Sequence, residues 1–170
     1  SIVQFILGEH MHESGIVYCS TRNKAEAVCS YLKNSGIDAL VYHAGMDNEL
    51  REANQAAFFD RPCVMVATVA FGMGIDKSDV RFIIHVDMPK SIENFFQETG
   101  RAGRDGKAAE SVLYYGLDDL VQQRFFIDKS EAEPLYKQVS LNKLDSMLGL
   151  AESVGCRRMQ LLSYFGETLA

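Results

Sequence analysis

The sequence predicts an α/β fold: a parallel sheet flanked by helices, followed by a small all-helical extension. Three observations carry this reading. Short apolar runs alternate with helix-period segments, each run ends at a polar or glycine-bearing turn, and the strand pattern stops after Gly116. An amphipathic start over residues 2–11 comes first. Gly15-Ile16-Val17-Tyr18-Cys19 then forms a compact apolar strand ending at the turn Ser20-Thr21-Arg22-Asn23. The spacing predicts a helix over 24–34, with Ala27, Val28, Tyr31 and Leu32 on one face and Ser35-Gly36 as its stop. A strand at 38–42, the loop His43-Ala44-Gly45, a helix over 48–59 and a strand at 64–67 follow, and a glycine loop comes next. The α/β part closes with a strand at 82–86, a helix from Ser91 through the arginine-bearing run, and a strand at 111–115. Strands separated by helices require right-handed crossovers, hence a parallel sheet covered on both faces. From 117 to 165 only helical periodicity remains, in about three segments broken near 130–134 and 153–155, so the expected units are 1–116 and 117–170.

Composition narrows the function classes. Of the 170 residues, 47% are hydrophobic and 24% charged, the balance of a globular chain. The net charge of -6 argues against a duplex-binding module that works through general electrostatics, so any nucleic-acid contact must be local. No apolar run reaches membrane-spanning length and no secretory signal pattern opens the sequence. A soluble protein without a membrane partner is expected. The four cysteines, Cys19, Cys29, Cys63 and Cys156, form no Cys-x-x-Cys pair. They read as free thiols rather than a disulfide framework, and the first three as core filler.

The chemistry concentrates in a few places, expected in loops beyond the carboxyl ends of the strands. The run Gln97-Glu98-Thr99-Gly100-Arg101-Ala102-Gly103-Arg104-Asp105-Gly106 sets two arginines three residues apart among glycines. A guanidinium is always charged and presents a planar fork of donors, which suits oxygens of a transferring phosphoryl group. Glycines allow the backbone to approach a ligand or neighbouring domain. Arginines at this spacing also occur on solvated helix faces. Thr68, directly after a strand, can hold a nucleic-acid phosphate through its hydroxyl and nearby backbone N–H groups. Arg22 can contact a phosphate or form a salt bridge at a helix start. His43 reads as a hydrogen-bonded loop residue, because no second histidine or cysteine lies at ligand spacing. Phe95 and Phe96 read as packing residues, and His10, His12 and His85 carry no signal.

Val66-Ala67-Thr68-Val69-Ala70-Phe71-Gly72-Met73-Gly74-Ile75-Asp76 followed by the 97–106 run resembles motifs V and VI of superfamily 2 helicases, and most closely those of the RecQ family of DNA helicases. Tyr18-Cys19-Ser20-Thr21-Arg22 resembles motif IV, with Thr21 where the family usually has serine. Phe71-Gly72-Met73-Gly74 together with Gln97 is similar to the DNA branch, since DEAD-box RNA helicases usually carry histidine in place of Gln97. The resemblance implies a RecA-like lobe of the P-loop NTPase type at 1–116 and part of a zinc-binding subdomain at 117–170. It implies catalytic roles for Arg104, as the finger toward the γ-phosphate, and for Arg101 beside it. Gln97, Gly74, Asp76 and Arg104 would face the nucleotide, while Arg22 and Thr68 would lie on the single-strand track. Cys156, in Gly155-Cys156-Arg157-Arg158-Met159, matches the first of four zinc-binding cysteines.

The implied activity is ATP-dependent 3'-5' DNA unwinding in repair and recombination, in the cytoplasm of a bacterium or the nucleus of a eukaryote. The implied partners are single-stranded DNA, duplex junctions and the first RecA-like lobe of the same polypeptide. The sequence contains neither a Gly-x-x-x-x-Gly-Lys-[Ser/Thr] phosphate loop nor an Asp-Glu-x-His acidic motif. ATP and Mg2+ would therefore be held mainly by that other lobe. The expectation is a fragment inactive by itself, with Zn2+ bound only in the full-length protein. Two other readings stay open on sequence: a non-catalytic RecA-like adaptor, and the C-terminal lobe of an RNA helicase.

Overall fold

The structure, a computed structural model, describes residues 1–68, 77–153 and 157–166, with the side chains of 157–159 and 162 outside that description. Its elements run α1 (Ile2–Glu9), β1 (Ser14–Tyr18), α2 (Arg22–Asn34), β2 (Ala39–Tyr42), α3 (Asn48–Asp60), β3 (Val64–Ala67), β4 (Val80–His85), α4 (Ile92–Thr99), β5 (Glu110–Leu113), α5 (Leu117–Lys129), α6 (Pro134–Glu152) and α7 (Arg157–Tyr164). They form two compact units. One comprises Ser1–Asp87 and Glu98–Tyr114, the other Met88–Gln97 and Tyr115–Ala170.

The first unit is the expected α/β layer. Its five strands lie in the order β2-β3-β1-β4-β5, and every adjacent pair is parallel. Alternation along the strands sends residues to opposite faces. Val17, Val64, Val66, Phe82 and Ile84 pack with Ile6 of α1 and Ala25, Cys29 and Leu32 of α2. Ile16, Tyr18, Met65 and Ile83 pack with Phe58 of α3. Local chemistry starts the helices: the Thr21 hydroxyl accepts the Lys24 N–H at 3.2 Å to open α2, and the Asp47 carboxylate accepts the Glu49 N–H at 2.9 Å to open α3. Gly36, at φ +83°, takes the chain out of α2.

The Phe82 ring of β4 lies over β1 because position 15 lacks a side chain. A Cβ there would lie 2.1 Å from the Phe82 ring, which is fully buried. A side chain at 15 would require that ring to move, so a larger residue there overpacks the centre of the sheet.

One element departs from expectation. The helix predicted from Ser91 through the arginine run stops at Thr99, and Arg101 and Arg104 lie in the loop beyond it. Gly103 (φ +65°) and Gly106 (φ +79°) adopt left-handed backbone that a helix cannot contain. At Gly103 a Cβ would also meet the Lys107 carbonyl oxygen at 2.9 Å.

The second unit is helical apart from its loops. Pro134 occupies the first turn of α6, where its missing N–H costs nothing. The Asp119 carboxylate accepts the Gly116 N–H at 3.1 Å at the start of α5. α6 buries Leu144, Met147, Leu150 and Ala151, a stripe at helical spacing. The Gln123 amide donates to the Met88 carbonyl at 2.7 Å, tying α5 to the segment before α4. Phe95 is buried as expected, whereas Phe96 is half exposed and rests against Phe165 with ring centroids 4.9 Å apart. The Tyr164 hydroxyl donates to Glu93 at 2.8 Å. Among the described residues no helix is long and apolar enough to cross a membrane.

Candidate functional site

The α/β unit places the sequence-derived residues on two opposite edges of its sheet. At the carboxyl edge Thr68 directly follows β3; it is buried, and its N–H donates to the Tyr42 carbonyl at 3.3 Å. The parallel register sets Tyr18, Tyr42 and Ala67 side by side, so the segments starting at Cys19, His43 and Thr68 leave the sheet together. Arg22 is exposed at the first turn of α2, and its guanidinium lies over Gly45, where a Cβ would come within 3.0 Å of Nη1. Arg22 and Thr68 therefore share one edge.

His43 fixes the loop beneath Arg22. Its Nδ1 accepts the Gly45 N–H at 3.1 Å, which leaves the proton on Nε2 to be donated to Glu26 at 2.7 Å. This is the hydrogen-bonded loop role expected from sequence. Nearby, the buried Asp87 carboxylate accepts the Ser20 N–H at 2.8 Å and pairs with Lys24. No spacing in the sequence signals that pair, because its members lie 63 residues apart.

The arginine loop sits at the other edge. The Gly103 N–H donates to the carbonyl of Val80, the first residue of β4, at 2.9 Å, and the Asp105 N–H donates to the Ser78 carbonyl at 3.1 Å. The expectation that all the chemistry follows the carboxyl ends of the strands thus holds for Thr68 and Arg22 but not for Arg104, which lies between Gly103 and Asp105; Arg101 comes before that segment, and its charge acts on Tyr18 at the end of β1. Glu98 still meets His85 at the end of β4, and the chain reaches the beginning of that strand only at Gly103, so the return is made by the segment between them.

Sequence reasoning missed what holds this loop. Arg81 donates to the carbonyls of Asp79 at 3.2 Å, Ala108 at 2.9 Å and Ser78 at 3.4 Å, and to the Asp105 carboxylate at 2.6 Å. One planar fork therefore ties Asp105 and Ala108 of the loop to the turn before β4. The Asp105 carboxyl is held below its ordinary range, first by the Arg81 hydrogen bond and next by the Lys107 N–H.

A second device anchors the last turn of α4. Buried His85 hydrogen-bonds Glu98 at 2.8 Å and stacks on Tyr18 with centroids 5.3 Å apart. Burial pushes the Tyr18 phenol well above its usual value, the Glu98 charge adds to the rise, and the Arg101 charge opposes it. Arg101 is half buried, while Arg104 is exposed with its Nε donating to the Gly100 carbonyl at 3.4 Å. Gln97 is exposed on α4, within the second compact unit. Gly74, Asp76 and Cys156 lie outside the described residues. Cys19, Cys29 and Cys63 are buried free thiols, and burial pushes Cys19 up to about 12 and Cys63 to about 11. They are core residues, as expected.

Two family models cover this chain. The helicase conserved C-terminal domain matches residues 1–106, and the RecQ zinc-binding domain matches residues 117–170. The chain is a helicase C-terminal domain of the RecQ family. It is 47% identical over 168 residues to the ATP-dependent DNA helicase RecQ of Haemophilus influenzae, covering 98% of this chain and 27% of that protein. It is also 44% identical over 169 residues to the RecQ-like DNA helicase BLM of Xenopus laevis, covering 97% of this chain and 12% of that one. The chain thus spans about a quarter or less of these relatives. Among solved structures, the E. coli DEAD-box protein SrmB is similar at a TM-score of 0.60 and 26% identity, over 71% of each chain. Domain 2 of the DEAD-box helicase Mss116p matches at a TM-score of 0.63 and 19% identity, over 95% of this chain and 69% of that one, which supports the RecA-like fold.

The Arg81–Asp105 clamp predicts a pH dependence. Asp105 has a lower pKa folded than unfolded, so its stabilisation is present above the unfolded value near 4 and is lost as pH falls through the lower folded value. Thermal melts from pH 7 to 3 should show the wild type above Asp105→Asn at neutral pH, with the gap closing below about pH 4. A gap independent of pH would mean that the carboxylate charge does not hold the loop.

Proposed function

We propose that residues 1–116 form the second RecA-like lobe, and residues 117–170 part of the zinc-binding subdomain, of an ATP-dependent DNA helicase. The observation that carries this reading is the separation of two basic groups on opposite edges of one rigid sheet. The clamped segment that carries Arg104 stands at the amino edge, and Arg22 with Thr68 stands at the carboxyl edge.

In this reading the nucleotide and Mg2+ are held mainly by the first lobe of the same polypeptide. Arg104 presents its fork to the γ-phosphoryl oxygens as charge builds in the transition state, with Arg101 beside it. Arg81, whose donors are taken up by the loop itself, is a positioning residue that keeps the arginines aimed. Gln97, Gly74 and Asp76 orient the nucleotide. On the far edge, the Thr68 hydroxyl and the Arg22 guanidinium hold phosphates of single-stranded DNA, a contact that fixes register without reading sequence. The local basic character at each edge reconciles nucleic-acid binding with a net charge of -6.

Zinc enters through one residue. Residues 117–170 contain a single cysteine, Cys156, whereas a closed structural zinc site takes four ligands. The described residues do not complete such a site, so no step of the reaction is routed through it. We assign Cys156 as one ligand in the intact enzyme.

Three measurements on the intact enzyme test these roles. Arg104→Ala should lower kcat for ATP hydrolysis by roughly a thousandfold with a smaller effect on ATP binding, and Arg104→Lys should not restore it, because a point charge cannot reproduce the fork. Near wild-type turnover in the alanine variant would remove the finger assignment. Thr68→Ala should weaken single-strand binding equally across sequences, and unchanged affinity with unchanged DNA stimulation would show that the hydroxyl only satisfies its turn. Cys156→Ser should reduce zinc content measured by elemental analysis, and equal zinc in both proteins would exclude it as a ligand.

A further inference from the structure

His10 lies directly after α1 and is 7% exposed, held between the rings of Phe5 and Phe82 with each centroid 4.9 Å away. Among the described residues, neither of its ring nitrogens has a hydrogen-bond partner. A buried imidazole with both nitrogens unsatisfied is costly, so such a group calls for a ligand. Three carboxylates surround it. Its Nδ1 stands 3.6 Å from Glu13 and its Nε2 stands 3.8 Å from Glu110, while Glu9 precedes it in sequence. The ligand atoms of Glu9, His10 and Glu110 all lie within 4.8 Å of one another.

We propose that Glu9, His10 and Glu110 form a divalent-cation site of the zinc class, separate from the Cys156 site. The distances are too long for hydrogen bonds but suit two ligands on one ion. Metal–ligand bonds of about 2.0–2.2 Å allow ligand atoms to stand up to about 4.2 Å apart. The Nε2–Glu110 separation already falls in that range, and the exposed glutamates can close the rest by side-chain rotation. Glu13 faces the other ring nitrogen, the position from which a carboxylate orients a metal-bound histidine by accepting its N–H. The carboxyl end of α1, with its unpaired carbonyls, adds negative potential at the same point. Imidazole with carboxylates selects zinc and its neighbours over magnesium or calcium, which take all-oxygen sets. With three protein ligands, water completes the coordination. Glu110 opens β5 just beyond the arginine loop, so a bound ion would tie the exit of that loop to the end of α1.

The competing account is a doubly protonated His10 forming ion pairs with Glu13 and Glu110. Nitrogen-15 NMR separates the two, because the 170-residue chain has only four histidines. The experiment uses the chain carrying Cys156→Ser, so that no thiolate at that position contributes, with zinc sulfate as the probe near neutral pH. We expect the His10 Nε2 resonance to move to a metal-bound position and saturate at one equivalent. Glu110→Gln and Glu9→Gln, both at exposed positions, should each weaken zinc binding at least tenfold while leaving the melting temperature of the zinc-free chain in place. A His10 ring doubly protonated throughout the titration, or unmoved by millimolar zinc, would overturn the proposal. So would unchanged zinc affinity in Glu110→Gln.

Discussion

All five residues of β1 are buried, because helices cover both faces of the sheet at its centre, and this constraint decides where polar chemistry can sit in the α/β unit. A parallel sheet covered on both faces leaves its two edges as the places where side chains and backbone groups can meet ligands. The inner strands β1 and β3 therefore carry no charged side chain, and the segments leading to Arg22 and Thr68 begin where they stop. Gly15 shows how tightly this layer is built: the Phe82 ring occupies the space a side chain at 15 would need. Displacing that ring would also disturb the setting of His10, which packs on it.

The two edges use different means to fix their groups. At the carboxyl edge two short-range devices, the Thr21 cap of α2 and the His43–Gly45 bond, act beside the long-range hold of Asp87 on Ser20 and Lys24. At the amino edge the segment carrying Arg104 has left-handed glycines and no helical frame, so its shape comes from outside. Backbone hydrogen bonds to Ser78 and Val80 set its position, and Arg81 grips its carbonyls and Asp105. Arginine serves here in two capacities. Arg81 is engaged by the fold through four hydrogen bonds, while Arg101 and Arg104 lie on the loop that it holds.

A net charge of -6 makes the placement of cations consequential. Lys24 is engaged by buried Asp87 and Arg61 by Asp38, so these charges neutralise local acids instead of building a basic surface. Under the proposed function, attraction for polyanions comes from few residues at defined points.

The sequence by itself determined the order of strands and helices in the α/β layer, since period-two and period-3.6 patterns, caps such as Thr21 and stops such as Gly36 are local properties of the chain. It also determined the family, because the 97–106 run is contiguous, and it placed the breaks between α5, α6 and α7 at Pro134 and near Ser153. It read one element wrongly, carrying α4 through the arginine run, because helical periodicity outweighed the left-handed preference of Gly103 and Gly106. Tertiary structure alone decided which sheet edge receives each motif, since a crossover's return point depends on how strand and helix pack. It alone joined Arg81 to Asp105, His85 to Glu98 and His10 to Glu110. Those pairs share no sequence spacing; each joins a strand residue to a loop or helix residue that packs against the sheet, and such packing is a property of the assembled fold.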